Sequence, residues 1–340
     1  MKVVIRAGGS GTRLYPLSST KRPKQCIPFF NGKSLIELAY ERALLLTEHV
    51  ADIFVSCDES QEILISSLIP VLPTNIIREI GGKNTGVALC VESVVMGTRA
   101  NAHEAIVSIP SDDFITNTDV WVQSIIEASA FIQENPAWVY TPTALVANPP
   151  TGFSYVKGGE ELVMMSQGPL LTVASWIEKP SREMAFGLVE EGFSAHMGAY
   201  IYASEGMISA FADLHPEVLR VCQRFVFEEE GSREEFLSLE PQSIESMITK
   251  HIPTVCMSQM ADVGWTDVGR FSSLREVLGV GGNVLRGNIE VIACHDVLIS
   301  APGRKKIQAV GLSNISVIDT GEVLFLVGDE YEDEVKNLQK

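Results

Sequence analysis

The residues best suited to chemistry come early in the chain. Gly8, Gly9, Ser10, Gly11, Thr12 and Arg13 follow the short apolar run Val3-Val4-Ile5, and Pro23-Lys24-Gln25 follows soon after. Such a run reads as a buried strand, and in open α/β sheets ligands bind just beyond the carboxyl ends of the strands. Glycines there let backbone N–H groups approach a phosphate where a β-branched side chain would collide. Arg13 and Lys24 add positive charge. Residues 1–36 hold seven basic side chains (Lys2, Arg6, Arg13, Lys21, Arg22, Lys24, Lys33) and no acid, in a chain of net charge -17, so the remainder carries -24. A local reversal of this kind suits a polyanion docking on an acidic surface, and it favours phosphate binding over a chance basic loop. A second candidate closes another apolar run, Ala105 to Ile109, as Pro110-Ser111-Asp112-Asp113. An acid leaving a buried strand is costly unless it holds something positive, and Mg²⁺ on a nucleotide commonly takes one or two carboxylates plus phosphate oxygens. Asp112 is therefore a candidate Mg²⁺ ligand, while Asp113 either adds a second acid or caps the following turn.

Two familiar phosphate loops do not fit. A dinucleotide fingerprint needs a third glycine where Arg13 stands and a helix opening at once, which Leu14-Tyr15-Pro16 does not provide. Gly32-Lys33-Ser34 resembles the end of a GxxxxGK[ST] loop, but the first glycine would fall at Ile27. Ser34-Leu35-Ile36-Glu37 reads instead as a capping box that starts a helix over 35–47.

From Val3 to about Tyr140, strand-like runs alternate with helical ones, as in a mainly parallel sheet covered on both faces. Predicted strands are Val3–Ile5, Ile53–Val55, Ile76–Ile77 and Ala105–Ile109. Helices are predicted over 85–98 and 118–133, the second with Val122, Ile125, Ile126, Ser129 and Ala130 on its buried side. Residues 142–260 are less regular. Beyond Gly279-Val280-Gly281-Gly282, short β-type runs recur to Val327, suggesting a small all-β cap built as β-helix turns or a sandwich. Hydrophobic residues at 46% and charged residues at 20% describe a globular protein of 340 residues. Its acidity argues against nucleic acid or an anionic membrane as partner, no stretch approaches a membrane span, and the expected location is cytoplasmic. The six cysteines contain no CxxC pair and read as reduced, buried thiols.

The run Gly-Gly-Ser-Gly-Thr-Arg-Leu from Gly8, then Pro16-Leu17-Ser18 and Pro23-Lys24-Gln25, closely resembles the signature of the sugar-1-phosphate nucleotidyltransferases. Within them it looks most like the bacterial mannose-1-phosphate guanylyltransferases. The resemblance covers essentially the whole chain. It implies a Rossmann-like mixed, mainly parallel sheet of GT-A-like type over 1–279, with a nucleotide half over about 1–141 and a sugar half over about 142–279, then a small β-rich domain over 283–340. Gly82-Lys83-Asn84-Thr85-Gly86 resembles the family's Arg-Asn-Thr-Ala-Pro-Ala, which would place Asn84 and Thr85 near the nucleotide; a helix cap is the other reading. Asp112 matches the aspartate of Pro-Ala-Asp-His. Gly264-Trp265-Thr266-Asp267-Val268-Gly269 matches Gly-Trp-Ser-Asp-Val-Gly, which would make Asp267 the second metal carboxylate and not merely an Asp-capped turn.

On the sugar side, the stretch from Pro150 to Val156 resembles Pro-x-Thr-Gly-Tyr-Gly-Tyr-Ile, with Gly152 facing the sugar, and Glu178-Lys179-Pro180 resembles Glu-Lys-Pro. The resemblance gives Glu178 the sugar hydroxyls and Lys179 the phosphate; an ordinary ion pair is the alternative. Four positions on this side depart from the family. His196-Met197 stand in place of Asn-Ser, Ser246 replaces a tyrosine, and Lys250 reverses the charge of a glutamate. The implied reaction transfers GMP from GTP to mannose 1-phosphate with Mg²⁺, using Arg13 and Lys24 as catalytic cations and Gly8 to Thr12 on the nucleotide, in an expected homodimer. The same chemistry on another sugar 1-phosphate or nucleotide is a second reading. A regulatory relative without turnover is a third, and retention of Arg13, Lys24, Asp112 and Asp267 speaks against it.

Overall fold

The computed structural model describes residues 1–9, 14–146, 149, 152–260, 263–279 and 282–339. In chain order the strands and helices are β1 (Lys2–Arg6), α1 (Leu35–Leu44), β2 (Ile53–Asp58), α2 (Glu62–Leu68), β3 (Ile76–Glu79), α3 (Asn84–Gly97), β4 (Ala105–Pro110), β5 (Asp113–Ile115), α4 (Thr118–Glu134) and β6 (Val139–Ala144). There follow β7 (Ser154–Met165), β8 (Gly168–Glu178), α5 (Arg182–Glu190), β9 (Ser194–His196), β10 (Tyr200–Ala203), α6 (Ser204–Leu214), α7 (Pro216–Val226), α8 (Ser232–Leu237), a π-helical turn (Glu245–Thr249) and β11 (Val255–Met260). The chain continues with β12 (Trp265–Asp267), α9 (Phe271–Leu278), β13 (Val284–Gly287), β14 (Ile289–Ile292), β15 (His295–Ala301), β16 (Ile307–Val310), β17 (Ser313–Asp319) and β18 (Leu324–Gly328). They distribute into two compact units: Met1–Gly8, Tyr40–Pro110 and Ile115–Trp265 form the first, and Gly9–Ala39, Ser111–Phe114 and Thr266–Lys340 the second.

The first unit is built on a ten-stranded sheet of order β11-β8-β7-β9-β6-β10-β4-β1-β2-β3. Its strands β4, β1, β2 and β3 run parallel, with Val3 opposite both Ile53 and Val107. Central parallel strands are covered on both faces, and β1, β2 and β4 are accordingly buried runs of Val, Ile and Phe without alternation. From β10 onward the neighbours turn antiparallel, apart from the parallel pair β11–β6. Helix α3 is apolar around most of its girth and buries Val87, Leu89, Cys90, Val91, Val94 and Met96 in a cluster shared with α6, α7 and the sheet. Gly86 permits that depth: a Cβ there would collide with the Met247 sulfur and stand 2.8 Å from the Gln242 carbonyl oxygen.

Helix α4 carries a correction to the sequence reading. Its buried residues are Trp121, Ser124, Ile125, Ala128, Ser129 and Ile132, whereas Ile126 is exposed. The large indole of Trp121 sets the inward face, and that rotates Ile126 and Ala130 outward. Helix α1 begins where the capping box places it, since the Ser34 N–H and hydroxyl both donate to the Glu37 carboxylate, at 2.8 and 2.6 Å. It ends at Leu44, short of the predicted Thr47, as the Leu45 and Leu46 N–H groups tighten onto the carbonyls of Arg42 and Ala43.

In the second unit β13, β15 and β17 stack in parallel, with β18 antiparallel at the edge, and β14 pairs with β16 in parallel. Successive parallel strands in two narrow sheets are the arrangement of β-helix turns. Val297, Ile299 and Val317 fill the space between them, and Leu14, Ile27, Phe29, Val268 and Phe271 form a second cluster with Leu298 and Ile318. All six cysteines are buried free thiols. Among the described residues no helix is long and apolar enough to cross a membrane.

One buried acid makes the first unit sensitive to pH. Glu92 of α3 is fully buried and accepts from Ser108 at 2.9 Å and Tyr202 at 2.7 Å. Burial raises its pKa from 4.5 to about 7, against the pull of Arg6 and the two hydroxyls. The folded protein therefore binds a proton that the unfolded chain has released between these values, so this group's stabilising contribution is lost as pH rises through 7. Glu92→Gln should stabilise the protein by about 3 kcal/mol at pH 8 and by much less at pH 5. Urea denaturation at both values measures it, and equal effects would show that the titration is not the cause.

Candidate active site

The second unit brings together three segments distant in sequence. Residues Lys24–Cys26 form a buried 3₁₀ turn that opens after Pro23. Its lysine ammonium lies 2.9 Å from Asp112 Oδ2 and 2.9 Å from Asp267 Oδ1. Asp112 sits in the turn between β4 and β5, and Asp267 ends β12, the strand that pairs with β5. Burial alone would lower the Lys24 pKa, but the charges of Asp112 and Asp267 and their hydrogen bonds more than reverse this and hold it above the ordinary lysine value. Next to this cluster in the chain, Gln25 donates its side-chain amide to the Gly9 carbonyl at 3.0 Å, which fixes one end of the glycine stretch.

The packing around Asp267 leaves no latitude. A Cβ on Gly269 would run into Asp267 Oδ2, so glycine is required two positions on for the carboxylate to keep its place. Two hard carboxylates match what Mg²⁺ asks of a protein when phosphates supply other ligands. They do not make an all-protein cage: among the described residues no group of three or more His, Cys, Asp or Glu side chains could hold a metal. Asp113 is buried at the start of β5. Ser10, Gly11, Thr12 and Arg13 lie outside the described residues, as do Pro150 and Thr151 of the Gly152 motif.

The first unit holds the remaining candidates. Gly8 is exposed at the end of β1 and a Cβ there would meet the Glu79 carboxylate at 3.4 Å. Asn84 opens α3 with φ 69°, its Oδ1 accepting from the Thr85 N–H at 2.8 Å, and the Thr85 hydroxyl accepts from the Ile244 N–H at 3.1 Å. Neither side chain is the N-cap, a position held by Lys83, whose ammonium instead donates to the carbonyls of Leu237 and Leu239. Gly152 has φ 92° and Lys179 φ 45°.

Glu178, at the end of β8, is occupied. Lys250 approaches Oε2 at 2.9 Å, Ser243 donates to Oε1 at 3.1 Å, and Lys179 lies 3.6 Å away. Burial would raise the Glu178 pKa, but the bonds from Lys250 and Ser243 and the charges of Lys250 and Lys179 hold it below the ordinary value. His196, 3% exposed, packs with ring centroids 5.1 Å from Trp176 and 5.0 Å from Tyr200. Burial lowers its pKa to about 4 despite the Glu245 carboxylate 3.7 Å from Nδ1. The ring is neutral at pH 7, so it offers a ligand a hydrogen bond and no charge. His196 Nε2 and Trp176 Nε1 are both buried without a hydrogen-bond partner among the described residues.

The sequence gives Arg6 no role. In the structure its guanidinium donates to the Ser108 hydroxyl and the Gly198 carbonyl and lies 5.7 Å from the centre of the Tyr200 ring. Tyr200 in turn donates to Glu245 at 2.9 Å. A basic residue leaving a buried strand is the only available signal, and its partners are far away in sequence.

Residues 2–279 match the model of the family described as Nucleotidyl transferase. Mannose-1-phosphate guanylyltransferase of Klebsiella pneumoniae is 28% identical over 347 residues, covering 98% of this chain and 72% of that protein. Xanthan biosynthesis protein XanB of Xanthomonas campestris pv. campestris is 27% identical over 350 residues, with coverage of 98% and 72%. Among solved structures, mannose-1-phosphate geranyltransferase from Thermus thermophilus superposes with a TM-score of 0.85 at 22% identity, covering 99% of this chain and 98% of that one.

Lys24→Met would leave Asp112 and Asp267 facing each other without a cation. The loss should be about 2 kcal/mol at pH 7, below the usual cost of breaking a fully buried pair because Asp112 is part-exposed. It should shrink in an Asp267→Asn background, where one of the two facing charges is already gone. Urea unfolding of the single and double variants at pH 7 checks this; an equal loss in both backgrounds would mean that the ammonium serves packing and not charge.

Proposed function

Since the chain belongs to the nucleotidyl transferase family, we propose that it transfers GMP from GTP to mannose 1-phosphate, forming GDP-mannose and pyrophosphate. The observation that carries this reading is the Lys24 ammonium held between Asp112 and Asp267. Guanine and mannose rest on the names of the relatives.

In the proposed reaction a phosphate oxygen of the sugar 1-phosphate attacks the α-phosphorus in line. The new P–O bond forms as the bond to the pyrophosphate oxygen breaks. Negative charge spreads over phosphoryl oxygens and no protein nucleophile is needed, so the protein's contribution is positioning and neutralisation. Lys24, fixed in position and fully protonated, meets the charge on the phosphates, and Arg13 is assigned the same task. Asp112 and Asp267 would hold Mg²⁺, which when bound supplies Lewis-acid stabilisation to phosphoryl oxygens. Gly8 to Thr12, with Asn84 and Thr85, are assigned to the nucleotide.

Gly152, Glu178, Lys179 and His196 are assigned to the sugar phosphate. That His196 Nε2 and Trp176 Nε1 have no hydrogen-bond partner among the described residues supports this, since sugar hydroxyls would satisfy both. One observation favours a second reading, the same chemistry on a different sugar 1-phosphate. Glu178 is already held by Lys250 and Ser243, which leaves it less able to accept from sugar hydroxyls. For the assembly we propose a homodimer in the cytoplasm. Leu324 and Leu326, 60% and 56% exposed on the edge strand β18, are suited to being covered by a partner.

The test is pyrophosphate release with Mg²⁺, each of the four common nucleoside triphosphates and a panel of sugar 1-phosphates. Release confined to GTP with mannose 1-phosphate is the expected result. Another productive pair would establish the second reading, and nucleotide binding without product would refute both. Asp267→Asn should lower kcat by at least about a hundredfold while leaving the circular dichroism spectrum unchanged. Full activity in that variant would remove Asp267 from the machinery.

A further inference from the structure

Away from Lys24 and its two acids, the second unit contains an open cavity of about 1070 Å³ whose lining includes Phe29, Phe30, Lys33, Phe114 and Arg286. The volume is that of a small-molecule site. Its wall carries two basic side chains and no acid, in a chain of net charge -17. Two other arginines of this unit are neutralised: Arg275 pairs with Asp329 at 2.5 Å and Arg270 with Asp333 at 2.8 Å. Arg286 differs. It is half-buried, donates one N–H to the Phe29 carbonyl and lies 6.0 Å from the centre of the Phe29 ring, and no acid pairs with it among the described residues. Burial lowers its pKa with no opposing carboxylate. A guanidinium withdrawn from water without a counter-ion is costly, and its planar fork suits phosphate oxygens two at a time. Beside it Phe30 and Phe114 stack with centroids 4.6 Å apart, forming an apolar wall for the body of a ligand.

We propose that this cavity is a binding site for a phosphorylated small molecule, with the phosphate on Arg286 and the organic part against Phe30 and Phe114. The site is separate from the proposed transfer chemistry, although Phe29 and Phe30 lie on the segment that follows Lys24 and Phe114 lies just beyond Asp112.

Isothermal titration calorimetry on the full chain tests this with three probes: inorganic phosphate, glucose 6-phosphate and AMP. The order of their affinities distinguishes a bare phosphate site from one that reads a sugar or a base. Two variants locate the binding. Arg286→Gln removes the fork, and Leu285→Glu sets an acid at the wall of the cavity from a position that is 40% exposed and so spares the fold. At least one probe should bind saturably to the wild-type protein, and both variants should weaken it by about tenfold or more. Affinity retained in Leu285→Glu overturns the proposal whatever Arg286→Gln does, and so does the absence of saturable binding by all three probes. The readout is binding, so the result does not depend on the transfer reaction.

Discussion

Much of the second unit is arranged around one ammonium group. Lys24 would be unfavourable where it lies, nearly excluded from water, were it not for Asp112 and Asp267. The two acids in turn would repel each other without it. Mutual dependence of this kind ties the 3₁₀ turn at Lys24–Cys26, the turn after β4 and the end of β12 into one geometry. The glycine at position 269 is a consequence of that arrangement, since a side chain there would displace the Asp267 carboxylate.

The first unit shows a different solution to buried charge. Arg6 hooks β1 to β4 and to the turn at Gly198, and shares its surroundings with Glu92, Glu79 and Tyr200. Burial raises the pKa of Glu79, as it does that of Glu92. These groups rely on hydroxyl partners as well as on the guanidinium: Ser56 donates to Glu79, and Ser108 and Tyr202 donate to Glu92. The network spans strands that meet at the carboxyl edge of the parallel sheet, where β1 gives way to Gly8. It holds that edge in register, and half-satisfied members would be expensive in so dry a place.

The departures from the family pattern acquire physical meaning from their neighbours. Lys250 forms an ion pair with Glu178, so the reversed charge at 250 is matched within the protein. His196 has been made neutral by burial and packs as an aromatic between Trp176 and Tyr200. Gly86 is where α3 meets the Met247 turn too closely for any side chain.

What could be read in the amino-acid order was local. Val3-Val4-Ile5 announces a doubly covered strand because no polar residue interrupts it, Ser34 and Glu37 announce a helix start because their reach is three residues, and β1, β2, β3 and β4 follow from apolar runs of the right length. The motif residues Lys24, Asp112 and Asp267 were legible as types suited to phosphate and metal. Their convergence on one ammonium, the closed state of Glu178, the neutrality of His196 and the bridge made by Arg6 were not, because each depends on a partner at least dozens of positions away. Even the inward face of α4 turned on the burial of one indole, that of Trp121. Charge and hydrophobic period are properties of the chain and determine which elements form, whereas distance and desolvation arise only when those elements pack, and they decide which charges meet and which are silenced.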